Sequence, residues 1–415
     1  MKMGCGKREL VFPSGFFPTE GFVEQVNPLY TRVMILGEKA PFCLVSIEMT
    51  SLPDEAVEAL KKTVAEVTEI RPDRIWITVT HTFSAPHIMP DEALKTEEER
   101  ARKMVLQNLL QEAAASAAAE AKKNLLPAEL TVHRGESQVV QSRDIELPEG
   151  WWIGCGGQGP SDRTLTVMRF RENGKDRGLI LHLNVQSSVL DGTGAAEGKC
   201  VSSDLAGLAC AELEANHPGM TALFLIGAAG DQAPVEKGKG YMPDGKGGWT
   251  EKDLREKGIS IAERLGKQLA GETETALAAE GRTIQETEVE IYNAGVLVQT
   301  KKMNRNLREL KPVRRCEWEL EPEKEQPISL LRIGELAIVG VKPELTWKTD
   351  QTMKKKSPLP CTLTATLVNG GAKYMAERGA YEKYMYEAIN SPFGPGAAER
   401  LVQSALTMLE GICRE

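Results

Sequence analysis

The chain has 415 residues, of which 51 are Lys or Arg and 59 are Asp or Glu, so its formal net charge is −8. This length is ample for a packed core, and the lack of excess positive charge argues against a nucleic-acid partner. The longest apolar runs fall far short of the roughly 18 residues that a membrane-spanning helix needs, so no membrane span is predicted.

The termini and the cysteines bear on the cellular compartment. Residues 1–13 lack the sustained apolar core of a secretory signal, which predicts a cytoplasmic protein. The eight cysteines include no CxxC pair. Scattered cysteines of this kind indicate reduced core thiols, and they favour neither a disulfide framework nor a thiolate zinc site.

The hydrophobic pattern alternates between strands and helices, which is typical of an α/β fold. In the first half of the chain, strands are predicted at 30–36, 43–48, 74–80, 129–138, 164–171, 178–185 and 221–226, and helices at 53–68, 97–124 and 203–216. In the second half, strands are predicted at 287–299, 328–341 and 360–368, and helices at 251–280, 372–388 and 396–412.

The Gly- and Lys-rich stretch 236–250 has no period, which predicts a mobile surface loop. No low-complexity linker divides the rest of the chain. We therefore predict one large α/β domain over 1–415, with mixed, largely parallel sheets flanked by helices.

Polar residues follow the ends of five predicted strands. These segments are 81–87, 186–188, 227–234, 342–344 and 369–374. Open α/β sheets bind ligands at the carboxyl ends of their strands, so we expect some of these side chains to share a cleft.

Several motifs in these segments resemble, in their order along the chain, the catalytic domain of the neutral, non-lysosomal ceramidases. They are HTxSxPH (81–87), VSSDLAG (201–207), GAAGDQAP (227–234), KPE (342–344) and KYMAERGAYEKYMYEAINSPFGP (373–395). The resemblance covers only the catalytic domain of that family. It implies the ceramidase catalytic fold and hydrolysis of an amide bond by water activated at a zinc ion.

The resemblance also implies roles for individual residues. It makes His81, Glu344 and Tyr374 ligands of the metal. Tyr386 matches a second tyrosine implicated in transition-state contacts, and Arg143 matches the active-site arginine, with its register uncertain by one residue.

The sequence departs from the family pattern at three of these positions. Phe83 stands where the motif has its second histidine, Gln186 stands where another histidine ligand is expected, and Ala233 replaces a serine. With Gln186 as a ligand, the site would have one nitrogen and three oxygen donors. Such a set favours Mn²⁺ or Mg²⁺ over zinc, or leaves the metal site empty.

Other candidate residues have two interpretations each. Asp231 orients a ligand or caps its turn, and Phe83 belongs with it to the predicted substrate-binding residues. The pair Trp151 and Trp152 forms core packing or an aromatic wall beside the pocket. His87 could replace a missing metal ligand, although a structural role is favoured.

Two further motifs are given structural rather than functional explanations. Ser203 and Asp204 are best explained as a helix cap. The GxGxxG at 154–159 is not a dinucleotide site, because a strand is predicted after it instead of a helix.

Together these observations predict a hydrolase of a carbon–nitrogen amide bond that uses one divalent metal and acts on a small, water-soluble amide. The competing hypothesis is a non-catalytic ligand-binding protein that kept the fold and pocket but lost the metal. An ester or phosphoester is a third candidate substrate, because activated water attacks either electrophile. The oligomeric state is left open.

Overall fold

The computed structural model describes residues 1–157, 159–303 and 310–414. In these ranges the helices are α1 (Asp54–Thr68), α2 (Glu97–Lys123), α3 (Asp204–Asn216), α4 (Lys257–Ala278), α5 (Trp347–Lys356), α6 (Arg378–Glu382), α7 (Tyr386–Ile389) and α8 (Ala397–Ile412). Short 3-10 turns lie at Pro72–Arg74 and Asp91–Ala93. No helix within the described ranges is long and apolar enough to cross a bilayer.

The strands of the first half are β1 (Lys2–Glu9), β2 (Phe22–Gln25), β3 (Tyr30–Leu36), β4 (Phe42–Ile47), β5 (Ile75–Val79), β6 (Leu126–Pro127), β7 (Glu129–Glu136), β8 (Val140–Ser142), β9 (Asp144–Leu147), β10 (Gly150–Ile153), β11 (Thr164–Glu172) and β12 (Lys175–Leu183). Those of the second half are β13 (Lys199–Val201), β14 (Thr221–Ile226), β15 (Gln232–Pro234), β16 (Lys239–Pro243), β17 (Trp249–Asp253), β18 (Arg282–Thr283), β19 (Val289–Lys301), β20 (Leu320–Ile333), β21 (Leu336–Val341), β22 (Glu344–Leu345), β23 (Cys361–Ala365) and β24 (Tyr374–Met375).

The larger sheets have the strand orders β5-β4-β3-β1-β6, β14-β12-β11-β7-β18 and β19-β20-β21-β23. Each is mixed, as predicted, but they are not largely parallel. Each has one parallel pair at an edge, namely β4–β5, β12–β14 and β21–β23, and its remaining pairs are antiparallel. The reason is that tight hairpins connect several neighbours, such as β11 and β12 through Asn173 and Gly174, which both have positive φ.

The local sequence explains the long helices. In α1 the apolar residues Val57, Leu60 and Val64 recur at helical spacing and are buried. Helix α2 begins with a capping box in which Thr96 and Glu99 satisfy each other's backbone N–H groups. Both helices lie where the sequence predicted them.

Two predicted segments need correction. The single helix expected over 372–388 is wrong: this segment forms β24, α6 and α7, because Lys373 and Tyr384 have positive φ and interrupt a continuous helix. The stretch 236–250, predicted to be a loop, contains β16 and the first two residues of its partner β17, which pair as an antiparallel hairpin. Its mobility stays a prediction.

One apolar cluster joins the three larger sheets. It includes Met34 of β3, Phe170 of β11 and Ile338 of β21, all fully buried. Polar bonds add to this contact: Trp76 Nε1 donates to Ser329 Oγ at 2.9 Å. Because the sheets share this core, the carboxyl ends of their parallel strands are brought to one region of the molecule.

Candidate active site

The four residues that were predicted as metal ligands lie at or next to the ends of strands. His81 follows β5, Gln186 follows β12, and Glu344 and Tyr374 begin β22 and β24. Glu344 and Tyr374 are direct partners in the parallel β22–β24 pair, which fixes them side by side. All four side chains are at least about nine-tenths buried, so the structure gathers them in one enclosed cluster.

The ring of His81 is held from both sides. Its Nδ1 lies 2.5 Å from the carbonyl oxygen of Thr50, and its Nε2 lies 3.2 Å from Glu344 Oε2. A carbonyl oxygen only accepts, so Nδ1 carries a proton. If Nε2 were unprotonated, its lone pair would face a carboxylate oxygen. A proton or another cation must therefore lie between Nε2 and Oε2.

Gln186 connects this pair to an arginine. Its Nε2 donates to Glu344 Oε2 at 2.8 Å, and its Oε1 accepts from a terminal N–H of Arg143 at 2.9 Å. Burial raises the pKa of the Glu344 carboxyl, but His81, Arg143 and Gln186 outweigh burial, so the pKa is lowered overall. Glu344 is thus held as a carboxylate.

Arg143 is the fixed positive charge of the cluster. It donates to Glu387 Oε1 through Nε at 3.1 Å and through a terminal nitrogen at 2.8 Å. Its guanidinium lies 5.1 Å from the ring centre of Tyr374 and 5.4 Å from that of Tyr386. Burial lowers its pKa, but Tyr374, Glu387 and other neighbours outweigh burial and raise the pKa well above its ordinary value.

Aromatic side chains border the cluster. Phe83 packs edge-on against His81 with ring centres 4.7 Å apart, and Trp152 packs edge-on against Tyr386 at 5.0 Å. Phe83, Trp152 and Tyr386 are only half-buried, unlike the polar residues behind them. Of the two interpretations of the tryptophan pair, this position favours the aromatic wall for Trp152.

Tyr374 and Tyr386 are neutral phenols whose hydroxyl groups can donate hydrogen bonds. Burial raises the pKa of Tyr374 well above its ordinary value, and burial also raises the pKa of Tyr386. Asn390 Nδ2 donates to Tyr386 Oη at 3.0 Å, which orients that hydroxyl. Tyr386 Oη is therefore a neutral, oriented hydrogen-bond donor.

Asp231 lies apart from His81. Its Oδ1 accepts from the backbone N–H of Trp347 at 2.8 Å, so it caps the start of α5. Its backbone carbonyl accepts from Arg143 N–H at 3.0 Å, next to the short β8–β15 pair that aligns the two segments. Burial raises the pKa of Asp231 to about 7, and Glu387 adds to this effect.

The other candidates do not join the cluster. His87 is partly exposed and pairs with Glu20 at 2.8 Å, so it is not a replacement ligand. Asp204 accepts from the backbone N–H groups of Val189 and Leu190, which is a structural role. The GxGxxG is followed by β11, as predicted, and its Gln158 lies outside the described residues.

Sequence reasoning missed Glu387, Thr50 and Asn390. Glu387 had one usable signal, because a buried arginine requires an acidic partner and Glu387 adjoins a predicted catalytic tyrosine. Thr50 contributes only its carbonyl, which any residue could supply. Asn390 has no distinguishing pattern.

The residues present fit a divalent cation in part. His81 fits, because the Thr50 carbonyl fixes the tautomer that a metal-bound imidazole needs, and Glu344 adds a carboxylate oxygen. Gln186 fits poorly as oriented, because its oxygen is bonded to Arg143 and its nitrogen, which cannot ligate, faces Glu344. Among the described residues, no group of three or more His, Cys, Asp or Glu could hold a metal.

The fold is similar to that of solved ceramidase structures. The structure is similar to a ceramidase complexed with C2, with a TM-score of 0.74 and 14% identity, covering 100% of this chain and 75% of that chain. It is also similar to the neutral ceramidase from Pseudomonas aeruginosa, with a TM-score of 0.72 and 14% identity, covering 98% and 73%. None of the known family models and no curated protein matches the sequence. The predicted resemblance is confirmed at the level of the fold.

Proposed function

We propose that this protein hydrolyses the amide bond of a small, water-soluble substrate. The observation that carries the proposal is the position of His81 Nε2 against Glu344 Oε2, with a gap that requires a cation or proton. Arg143 is connected to Glu344 through Gln186, and Tyr386 lies beside Arg143, so the two would supply positive charge and a hydroxyl donor. The ceramidase fold, whose known members cleave an amide, supports the same reaction class.

A divalent metal would be held by His81 and Glu344, with Tyr374 as a third donor. When bound, it would supply a Lewis acid that lowers the pKa of its water and polarises the substrate carbonyl. Zinc is implied by the resemblance, and the oxygen-rich donor set favours Mn²⁺ or Mg²⁺.

The chain's own residues act on the charge that develops on the carbonyl oxygen. Arg143 is fixed by Glu387 and Gln186, so its guanidinium needs no reorganisation during the reaction. Tyr386 keeps its proton because its pKa is raised, and it can donate to an oxyanion. Preorganised donors of this kind contribute about 3–4 kcal/mol to lowering a barrier.

The aromatic border limits the substrate. Phe83 and Trp152 offer apolar surface to an acyl or amine group beside the buried polar cluster. A small amide suits such a border. It also suits a cytoplasmic enzyme, which remains a prediction from the sequence.

The second candidate function is ligand binding without catalysis. The specific observation in its favour is the continuous chain of hydrogen bonds Arg143–Gln186–Glu344–His81, which a protonated imidazole completes without any metal. Such a site would bind an amide or carboxylate through Arg143 and leave it intact.

The test uses purified protein dialysed against Mn²⁺ or Zn²⁺ and assayed on N-acetyl and N-hexanoyl amines, on the matching esters and on short-chain N-acylsphingosine. We expect the soluble amides to be cleaved in a metal-dependent way. His81→Ala and Glu344→Gln should each lower kcat/KM by about a hundredfold or more.

The matched control is His87→Ala, a histidine six residues further along the chain that pairs with Glu20 outside the cluster. It should leave kcat/KM within about twofold. Tight amide binding without turnover, and without bound metal, would favour the binding protein. Cleavage of only the ester would change the substrate class, and equal loss in His87→Ala would contradict the site.

A further inference from the structure

A second pocket lies on the Glu387 side of Arg143. It has a volume of about 490 Å³, and its lining includes Trp347 of α5, Met385, and Val402 and Leu406 of α8. This volume is in the range of small-molecule sites. His81, Gln186 and Tyr374 are not among the lining residues, whereas Asp231 and Glu387 are, so the pocket adjoins the site described above without including its predicted metal ligands.

The inner end of this pocket carries several carboxylates. Asp144, Asp231 and Glu387 are buried there, and the half-buried Glu377 lies beside them. Arg143 is bonded to Glu387 and to Gln186, so it compensates only one of these acids directly. Negative charge is therefore concentrated where the pocket is deepest.

Asp144 provides an independent observation that points to a ligand. The residue is only 9% exposed and lines the pocket. Within the described parts of the chain, no donor forms a hydrogen bond to its carboxylate, whereas Asp231 and Glu377 accept from Trp347 N–H and from Thr346. Leaving a buried carboxyl group without a partner is costly, so a donor in the pocket would be favoured.

The titration behaviour agrees with this geometry. Burial, and then repulsion from Glu387 and Asp231, raises the pKa of Asp144 well above its ordinary value. Burial likewise raises the pKa of Glu387, which Arg143 offsets only in part. A cation placed among these groups would relieve the repulsion.

The apolar walls of the pocket favour an organic cation over a metal ion as its ligand. Apolar surface from Trp347, Val402 and Leu406 faces the space above the carboxylates. A bare metal ion would gain nothing from such walls, and no metal-holding group of acids is found among the described residues. Exposed lysines at 348, 356 and 383 line the outer part, so the end of a ligand that faces solvent should not be cationic.

We propose that this pocket binds a primary organic ammonium compound with a short apolar body, the ammonium donating to Asp144 and the apolar body lying against α5 and α8. The proposal is independent of the amide hydrolysis proposed above.

The test is isothermal titration calorimetry at pH 8.5 with n-hexylammonium chloride and, as its uncharged isostere, n-hexanol. Hexylammonium should bind about tenfold or more tightly than hexanol, as expected for a charge-assisted hydrogen bond. CaCl₂ and MgCl₂ alone should give no heat of binding. Equal affinity for the two organic probes, absence of hexylammonium binding, or stoichiometric binding of Ca²⁺ alone would each overturn the proposal.

Variants locate the site. Asp144→Asn should weaken hexylammonium binding by about tenfold and leave hexanol within about twofold. The matched control is Glu399→Gln, which removes the same charge from an exposed residue at the rim and should change neither probe by more than about twofold.

A second variant keeps the test valid if Asp144→Asn does not fold. A Cβ on Gly379, which lines the pocket, would meet only Glu377 Oε1 at 3.8 Å, so Gly379→Leu adds volume at the pocket without a backbone clash. It should weaken the binding of both probes by about tenfold or more. Unchanged binding in Gly379→Leu would show that the ligand lies elsewhere.

Discussion

Two buried arginines, one in the framework and one at the candidate site, differ in the charge of their hydrogen-bond partners. Arg32 in β3 donates to Glu48 and to both oxygens of Glu214, at 2.8 and 3.1 Å for the latter. Arg143 donates to one carboxylate, Glu387, and to the neutral amide of Gln186. The framework arginine faces two acids, whereas Arg143 faces one acid and one neutral amide.

The largest expected effect is on the framework side of this comparison. Arg32→Met should lower the free energy of unfolding by about 3–5 kcal/mol, because it leaves Glu48 buried without its cation and leaves Glu214 with Lys7 alone. Urea denaturation followed by circular dichroism measures the loss. Arg264→Met, which breaks the exposed pair with Glu236, should cost less than about 1 kcal/mol. Similar losses in both variants would remove the distinction.

Arg143→Met should act on catalysis more than on stability. We expect kcat on a cleaved amide to fall by about 10²–10³-fold, which corresponds to about 3–4 kcal/mol, because a preorganised donor to the oxyanion is lost. The loss of stability should be smaller than for Arg32→Met, since burial already raises the pKa of Glu387 and this single acid can take up a proton. A change confined to KM would contradict the oxyanion role.

Gln186→His tests why the site has a neutral amide at this position. An imidazole beside His81 and Glu344 supplies a second nitrogen donor, so zinc affinity should rise by about tenfold or more. Competition with a zinc-binding dye measures it, and Gln186→Asn serves as the control without a nitrogen ligand. Unchanged affinity in Gln186→His would show that this position does not face the metal.

The smallest effect concerns the acids beside Arg143. The pKa of Asp231 is about 7 in the folded protein against an ordinary 3.8, so the folded state binds this proton more tightly. Its contribution to stability is therefore present at low pH and is lost as pH rises from about 4 to about 7. The free energy of unfolding should therefore fall between pH 5 and pH 8, and Asp231→Asn should reduce this fall by on the order of 1 kcal/mol. Urea denaturation at the two pH values measures it. An unchanged slope would contradict the assignment.

Much of the fold followed from local patterns. The strand over 30–36 and the helix over 53–68 were both predicted, the helix because its apolar residues recur at helical spacing. Strand direction was predicted less well, since periodicity does not reveal which strands pair. The segment 372–388 shows the same limit, because positive φ at Lys373 and Tyr384 is not encoded by hydrophobic spacing.

The features of the candidate site likewise differ in whether the sequence predicts them. The residues that are predicted to carry chemistry, such as His81, Glu344 and Tyr386, come from the motifs, and they lie in one cluster of the structure. The carbonyl of Thr50 and the orientation of Gln186 depend on tertiary contacts, so no sequence pattern predicts them. The carboxylates behind Arg143 come from separate segments and were likewise beyond sequence reasoning.

The most direct test of the account is whether a cation lies between His81 Nε2 and Glu344 Oε2. Crystals soaked in MnCl₂ would be examined for anomalous scattering, with Glu344→Gln as the control. We predict an anomalous peak within coordinating reach of both atoms in the unaltered protein and none in the variant. Absence of the peak, with His81 and Glu344 still in direct contact, would contradict a metal-assisted hydrolase.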